Sequence, residues 1–122
     1  MQRLLNEAYL VSTSRITYAE TRAAFVRAKQ NGLISDNEYT QITRNFIADW
    51  EACFTLDITE PIIYLAGDLT ERYMIRGFDA IHLASGLILS RKVNDAISFA
   101  CWDARLWKAA KKEGFEVAPD KI

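Results

Sequence analysis

From Ala80 to Leu89 the chain carries only two polar side chains, His82 and Ser85. A helix that apolar around its whole circumference has to be buried on most sides. Yet Asp79 stands at its mouth, in Arg76-Gly77-Phe78-Asp79-Ala80-Ile81-His82-Leu83-Ala84. A carboxylate beside a buried helix needs something to compensate its charge. Two more acids occupy comparable junctions. Glu20 lies early in a helix that follows Val11-Ser12-Thr13-Ser14, and Asp103 follows the apolar run Ile97-Ser98-Phe99-Ala100-Cys101-Trp102. Three acids, each just past a candidate strand or at a helix start, point to one acidic cluster that binds a divalent cation.

The rest of the chain is compatible with such a site. Its 122 residues, half of them hydrophobic, suit one domain with a proper core. A formal net charge of -1 excludes a protein that holds nucleic acid by bulk charge alone, though not a local basic rim. No apolar run approaches the ~20 residues needed to span a bilayer. The opening Met1-Gln2-Arg3-Leu4-Leu5-Asn6-Glu7 lacks the apolar core of a signal peptide. Cys53 and Cys101 have no metal-ligand spacing and apolar or aromatic neighbours, so they read as reduced core residues of a cytoplasmic protein.

The order of elements follows from local signals. Leu4 to Ala8 reads as the end of a helix, and Tyr9 to Thr13 as a strand. A helix is expected from about Thr17 to Gln30, stopped by Asn31-Gly32. Ser35-Asp36-Asn37-Glu38 is a capping box that opens a helix to Ala52. Phe54 to Ile58 is strand-like, and Thr59-Glu60-Pro61 starts a helix to Tyr73. After Gly77 comes the apolar helix. Ala96 to Cys101 is a strand, Asp103 to Glu113 a helix closed by Gly114, and Phe115 to Ala118 a last strand. Strands alternating with helices imply an α/β fold with a parallel sheet covered on both faces. Ligands of such sheets bind beyond the carboxyl ends of the strands.

Each candidate residue also has a plainer reading. Glu20 could be a surface acid paired with an arginine, and Asp79 and Asp103 could each cap a helix. His82, three residues after Asp79, reads as a hydrogen-bonded core histidine rather than a ligand. Trp50, Trp102 and Trp107 read as core or interface residues rather than platforms for bases. Arg105, Lys108, Lys111 and Lys112 decorate the last helix, and Arg15, Arg22, Arg27 and Lys29 flank the Glu20 helix. These are either solvated helix faces or a rim that contacts phosphates without reading sequence.

Over essentially its whole length the chain resembles the PIN domain, in particular the VapC-type ribonuclease toxins of prokaryotic toxin–antitoxin pairs. Three segments carry the resemblance: Thr13-Ser14-Arg15-Ile16-Thr17-Tyr18-Ala19-Glu20, Phe78-Asp79-Ala80-Ile81-His82-Leu83-Ala84 and Ser98-Phe99-Ala100-Cys101-Trp102-Asp103-Ala104-Arg105-Leu106, with the ending from Ala109-Ala110 through Gly114 to Pro119. The resemblance implies a three-layer α/β/α fold around a parallel sheet in a single domain, 1–122. It implies Mg²⁺ or Mn²⁺ held by Glu20, Asp79 and Asp103, and cleavage of RNA. Arg15, Arg105 and Lys108 become the RNA-binding residues, and a cognate antitoxin and a homodimer the expected protein partners. The family opens with a strand bearing an aspartate, whereas the first aspartate here is Asp36, inside the capping box. The chain is therefore expected to lack the N-terminal strand and to be weak or inactive as a nuclease. A Thr common in the last motif is replaced by Cys101.

The rival reading is a catalytically impaired PIN-like module that binds an antitoxin or itself. An exposed sheet edge would favour this. A different Mg²⁺-dependent phosphotransfer enzyme fits less well, since no Gly-rich phosphate loop is present.

Overall fold

The computed structural model describes residues 11–94 and 96–122. The expected helix from Leu4 to Ala8, and the first two residues of the expected strand from Tyr9, lie outside them. The chain divides into two compact units, Met1–Asp57 and Ile58–Ile122.

In the N-terminal unit, β1 (Ser12–Ser14) leads into α1 (Ile16–Gln30), α2 (Asp36–Ala52) and β2 (Phe54–Leu56). The two strands pair in parallel, with Thr13 opposite Thr55, and the Arg15 amide extends the ladder by donating to the Leu56 carbonyl at 3.0 Å. Helix α1 stops where Gly32 takes a left-handed φ of 72°. Its approach is closed by Asn31 and Leu33 amides donating to the Arg27 and Ala28 carbonyls. The capping box forms as the sequence implies. The Ser35 hydroxyl accepts from the Glu38 amide at 3.1 Å, and the Glu38 carboxylate accepts from the Ser35 amide at 2.9 Å. These bonds to Ser35 also hold the Glu38 carboxyl below its ordinary pKa. The two helices meet through rings: Phe46 of α2 lies 5.7 Å from Tyr18 and 5.7 Å from Phe25 of α1, and Trp50 of α2 lies 5.3 Å from Tyr18. No residue of α1 or α2 is fully buried.

The C-terminal unit runs α3 (Glu60–Tyr73), α4 (Gly77–Lys92), β3 (Ser98–Ala100), α5 (Ala104–Lys112) and β4 (Glu116–Ala118). Strands β3 and β4 are again parallel, with Phe99 opposite Val117. Here the core is closed. Leu69 of α3 and Leu83 of α4 are at 0% exposure, joined by Ile62, Ala80, Ala84, Leu106 and Ala110. Each buried leucine contributes roughly 1.5–3 kcal/mol. Helix α4 is the axis of this unit, as its composition demands. Its one buried hydroxyl, Ser85, is satisfied internally by donating to the Ile81 carbonyl at 2.7 Å. Gly86 lets the strands close on it: a Cβ there would meet the rings of Phe99 and Phe115 at 3.3 Å. At the far end, Tyr73 and Arg72 both donate to Glu113, the Arg72 bond at 3.0 Å, which ties the end of α3 to the end of α5.

The fold is thus mixed α/β with parallel strands, compatible with a PIN-like fold. The described strands form two separate two-stranded sheets.

Candidate functional site

Asp79 and Asp103 reach the same place by different routes. Asp79 is in the first turn of α4, whose N-cap is Arg76 with no side-chain cap bond. It therefore does not cap the helix, although the positive end of the dipole favours its charge. Asp103 is the N-cap of α5, its Oδ1 accepting from the Leu106 amide at 2.9 Å. Its plainer reading is correct as far as it goes, but the carboxylate also faces a cavity. That cavity, of ≈ 190 Å³, is lined by Met74, Ile75, Arg76, Asp79, Asp103 and Arg105.

The charges in the cavity alternate. Arg76 Nε donates to Asp79 Oδ2 at 3.2 Å, with Asp79 only 17% exposed. Arg105, the second residue of α5, is exposed and lines the cavity with Asp103. The remaining oxygens, Asp79 Oδ1 and Asp103 Oδ2, are hard donors of the kind Mg²⁺ takes alongside water. Cys101 lies close by, donating to the Asp103 carbonyl at 3.8 Å. Burial, then the charge of Asp103, pushes its thiol up to about 11. The thiol therefore stays protonated at neutral pH in the metal-free protein. The donor set fits a hard divalent cation. Within the C-terminal unit, no third His, Cys, Asp or Glu joins the two carboxylates among the described residues.

The other sequence-derived candidates lie elsewhere or have other partners. Glu20 is half-buried on α1 in the N-terminal unit. Arg15, in the same unit, is ion-paired with Asp57. Lys108 is exposed on α5, three residues beyond Arg105. His82 is half-buried on α4.

Two residues were not singled out by the sequence. Arg76 lines the cavity and holds Asp79, and the signal was the i,i+3 spacing of opposite charges. Met74 ends α3 with φ of 56°, the one non-glycine residue with positive φ among those described. A bulky side chain in that region stores backbone strain, a feature that concentrates at functional sites. Trp107 is core as expected, 9% exposed, with its Nε1 donating to the Pro119 carbonyl at 2.7 Å. Trp102 is not a core residue: it is 55% exposed. It falls in the bend before α5, outside the helical face that packs inward.

No family model matches the chain. Two relatives do. Ribonuclease VapC45 of Mycobacterium tuberculosis (strain CDC 1551 / Oshkosh) is 33% identical over 110 residues, covering 90% of this chain and 74% of that protein. Ribonuclease VapC49 of Mycobacterium tuberculosis (strain ATCC 25618 / H37Rv) is likewise 33% identical over 110 residues, with 90% and 74% covered.

Proposed function

The chain belongs to the VapC-type PIN toxin family, and from that premise we propose that it is a metal-dependent ribonuclease whose chemistry centres on Asp79 and Asp103. The observation that carries this reading is the placement of both carboxylates on one cavity together with Arg76 and Arg105. In this proposal the two aspartates hold Mg²⁺ or Mn²⁺ through their remaining oxygens, and Glu20 joins them as a third ligand or as the base that orients water. When bound, the cation supplies Lewis acidity, activating water and offsetting charge on the phosphoryl oxygens. Arg76 keeps Asp79 oriented. Arg105 offers a guanidinium to a phosphate in the geometry that suits bidentate pairing. Lys108, further along α5, and Arg15, after giving up Asp57, add contacts to the RNA backbone.

The proposal includes the three-layer sheet of the family in one domain, a cytoplasmic setting and a cognate antitoxin. No helix among the described residues is long and apolar enough to cross a membrane. Cleavage of single-stranded RNA in Mn²⁺, lost with EDTA and lost in Asp79→Ala, is the expected result. Cleavage unaffected by either would overturn the metal site.

One observation favours the second reading, a binding module that self-associates. Helices α1 and α2 bury no residue fully, and Val26, Leu33 and Ile47 are exposed. Trp50, Tyr39, Phe46 and Tyr73 are half-buried, surface that a second copy would cover. Light scattering at micromolar concentration should then return a dimer mass, and a monomer would contradict it.

A further inference from the structure

Two large aromatic side chains in the C-terminal unit are exposed at positions directly preceding the two cavity aspartates. Trp102 is 55% exposed and immediately precedes Asp103; Phe78 is 56% exposed and immediately precedes Asp79. Each is the immediate chain neighbour of a residue whose carboxylate lines the cavity. Met74, also exposed, lines the same cavity. The contrast with Trp107 is informative. Five residues after Trp102, in the same segment, the chain buries an indole and gives its N–H a partner. Exposure of Trp102 is therefore not a general failure of this region to pack. Nor do the two exposed rings stack on each other or on another ring among the described residues.

What could cover such rings follows from their neighbours. An apolar protein anchor seated here would also have to desolvate Asp79, Asp103, Arg76 and Arg105, at a cost that only matched pairing offsets. A single-stranded nucleic acid brings both complements at once. Its phosphates suit the two guanidinium groups, and its bases offer flat faces to flat rings, which is how unpaired strands are held without sequence readout.

We propose that Trp102, with Phe78, is the stacking platform that holds unpaired nucleobases next to the phosphate to be cut. The proposal rests on the ribonuclease reading and adds to it how the strand is gripped: by its bases, on Trp102 and Phe78. Trp102 is a positioning residue for the substrate, and its loss acts on binding before it acts on the chemical step.

The test uses the full chain with oligo(A) and oligo(U) RNA, in EDTA so that binding is measured without cleavage. Binding should quench tryptophan fluorescence. Trp102→Ala should raise Kd by about 5- to 150-fold, the loss expected for one stacked base. Trp102→Phe should restore most of the affinity. Replacing a single base by an abasic site at the stacked position should weaken the wild type but not Trp102→Ala. In Mn²⁺ the same variant should raise KM far more than it lowers kcat. Because Trp102 is exposed, its replacement leaves the core intact, which circular dichroism verifies. Unchanged Kd in Trp102→Ala overturns the proposal. So does unchanged RNA binding accompanied by loss of self-association or of an antitoxin peptide, which would assign the rings to a protein partner. If Trp102→Ala binds and cleaves like the wild type, stacking fails and the ribonuclease reading stands. If the wild type itself neither binds nor cleaves RNA, both fall together.

Discussion

Helices α1 and α4 each carry a candidate acid near the start, yet they hold it in opposite ways. Helix α4 buries Ala80, Leu83, Ala84, Ser85 and Leu87, so Asp79 is fixed by the packing of everything behind it. Helix α1 buries nothing fully, and the rings that join it to α2 are all partly in water. A side chain on a fully packed helix inherits the rigidity of the core. A side chain on a half-packed helix is only as well placed as whatever covers the other face. The contrast teaches that Asp79 is set by its own unit, while the role of Glu20 depends on more than the helix it sits on.

The largest effect expected is catalytic. Asp79→Ala should lower metal-dependent RNA cleavage by about 10²–10³-fold, the scale of removing one electrostatic stabiliser. Glu20→Ala should match it if Glu20 completes the site, and a Glu20→Ala enzyme with wild-type rate would restrict the site to α4 and α5. Measuring both on one RNA breaks or sharpens the comparison directly.

The next effect is on stability. Leu83→Ala should cost about 3–5 kcal/mol in urea denaturation, because the residue is at 0% exposure and its site cannot collapse. Phe46→Ala, in the half-packed hairpin, should cost less despite the larger side chain removed. An equal or greater loss there would mean that the hairpin rings form a core as firm as that of α4.

Smaller still is the cap of α2. Ser35→Ala should cost about 1 kcal/mol and leave the unfolding of the C-terminal unit unchanged, as hydrogen exchange would report. Destabilisation of both units together would mean that they unfold as one.

The smallest effect is in the two thiols, one in each unit. Burial raises the pKa of Cys53, and burial with the nearby aspartate charges pushes Cys101 to about 11. In the metal-free protein, alkylation of Cys101 should therefore stay slow at pH 8 and accelerate only near pH 11, with Asp103→Asn moving the onset lower. The sign for stability follows. The folded thiol keeps its proton longer than the unfolded one, so its contribution is whole below the ordinary thiol range of ~8.5 and is lost as pH rises through about 11. Rapid labelling of Cys101 at pH 8 would show that the segment before Asp103 opens.

The chain's own letters determined whatever depends on residues three or four apart. Ser35 and Glu38 announced the capping box, Asn31-Gly32 the end of α1, Thr59-Glu60-Pro61 the start of α3, and the apolar run after Asp79 the buried axis of the second unit. Those bonds close within one turn, so composition along a few residues is enough to dictate them. Short strands were legible as places rather than lengths: of the stretch from Ala96 to Cys101 only Ser98–Ala100 forms the strand, with the Cys101 amide adding one bond to the Ala118 carbonyl. A strand's extent depends on its partner, which lies far off in sequence. Only the tertiary structure decided that Asp79 and Asp103, 24 positions apart, face one cavity, and that of two tryptophans in one segment Trp107 goes inside and Trp102 stays out. The two indoles are chemically identical. What separates them is that Trp107 sits on the face of α5 that meets a packed neighbour while Trp102 sits in the bend before the helix, and that neighbour is supplied by residues distant in sequence.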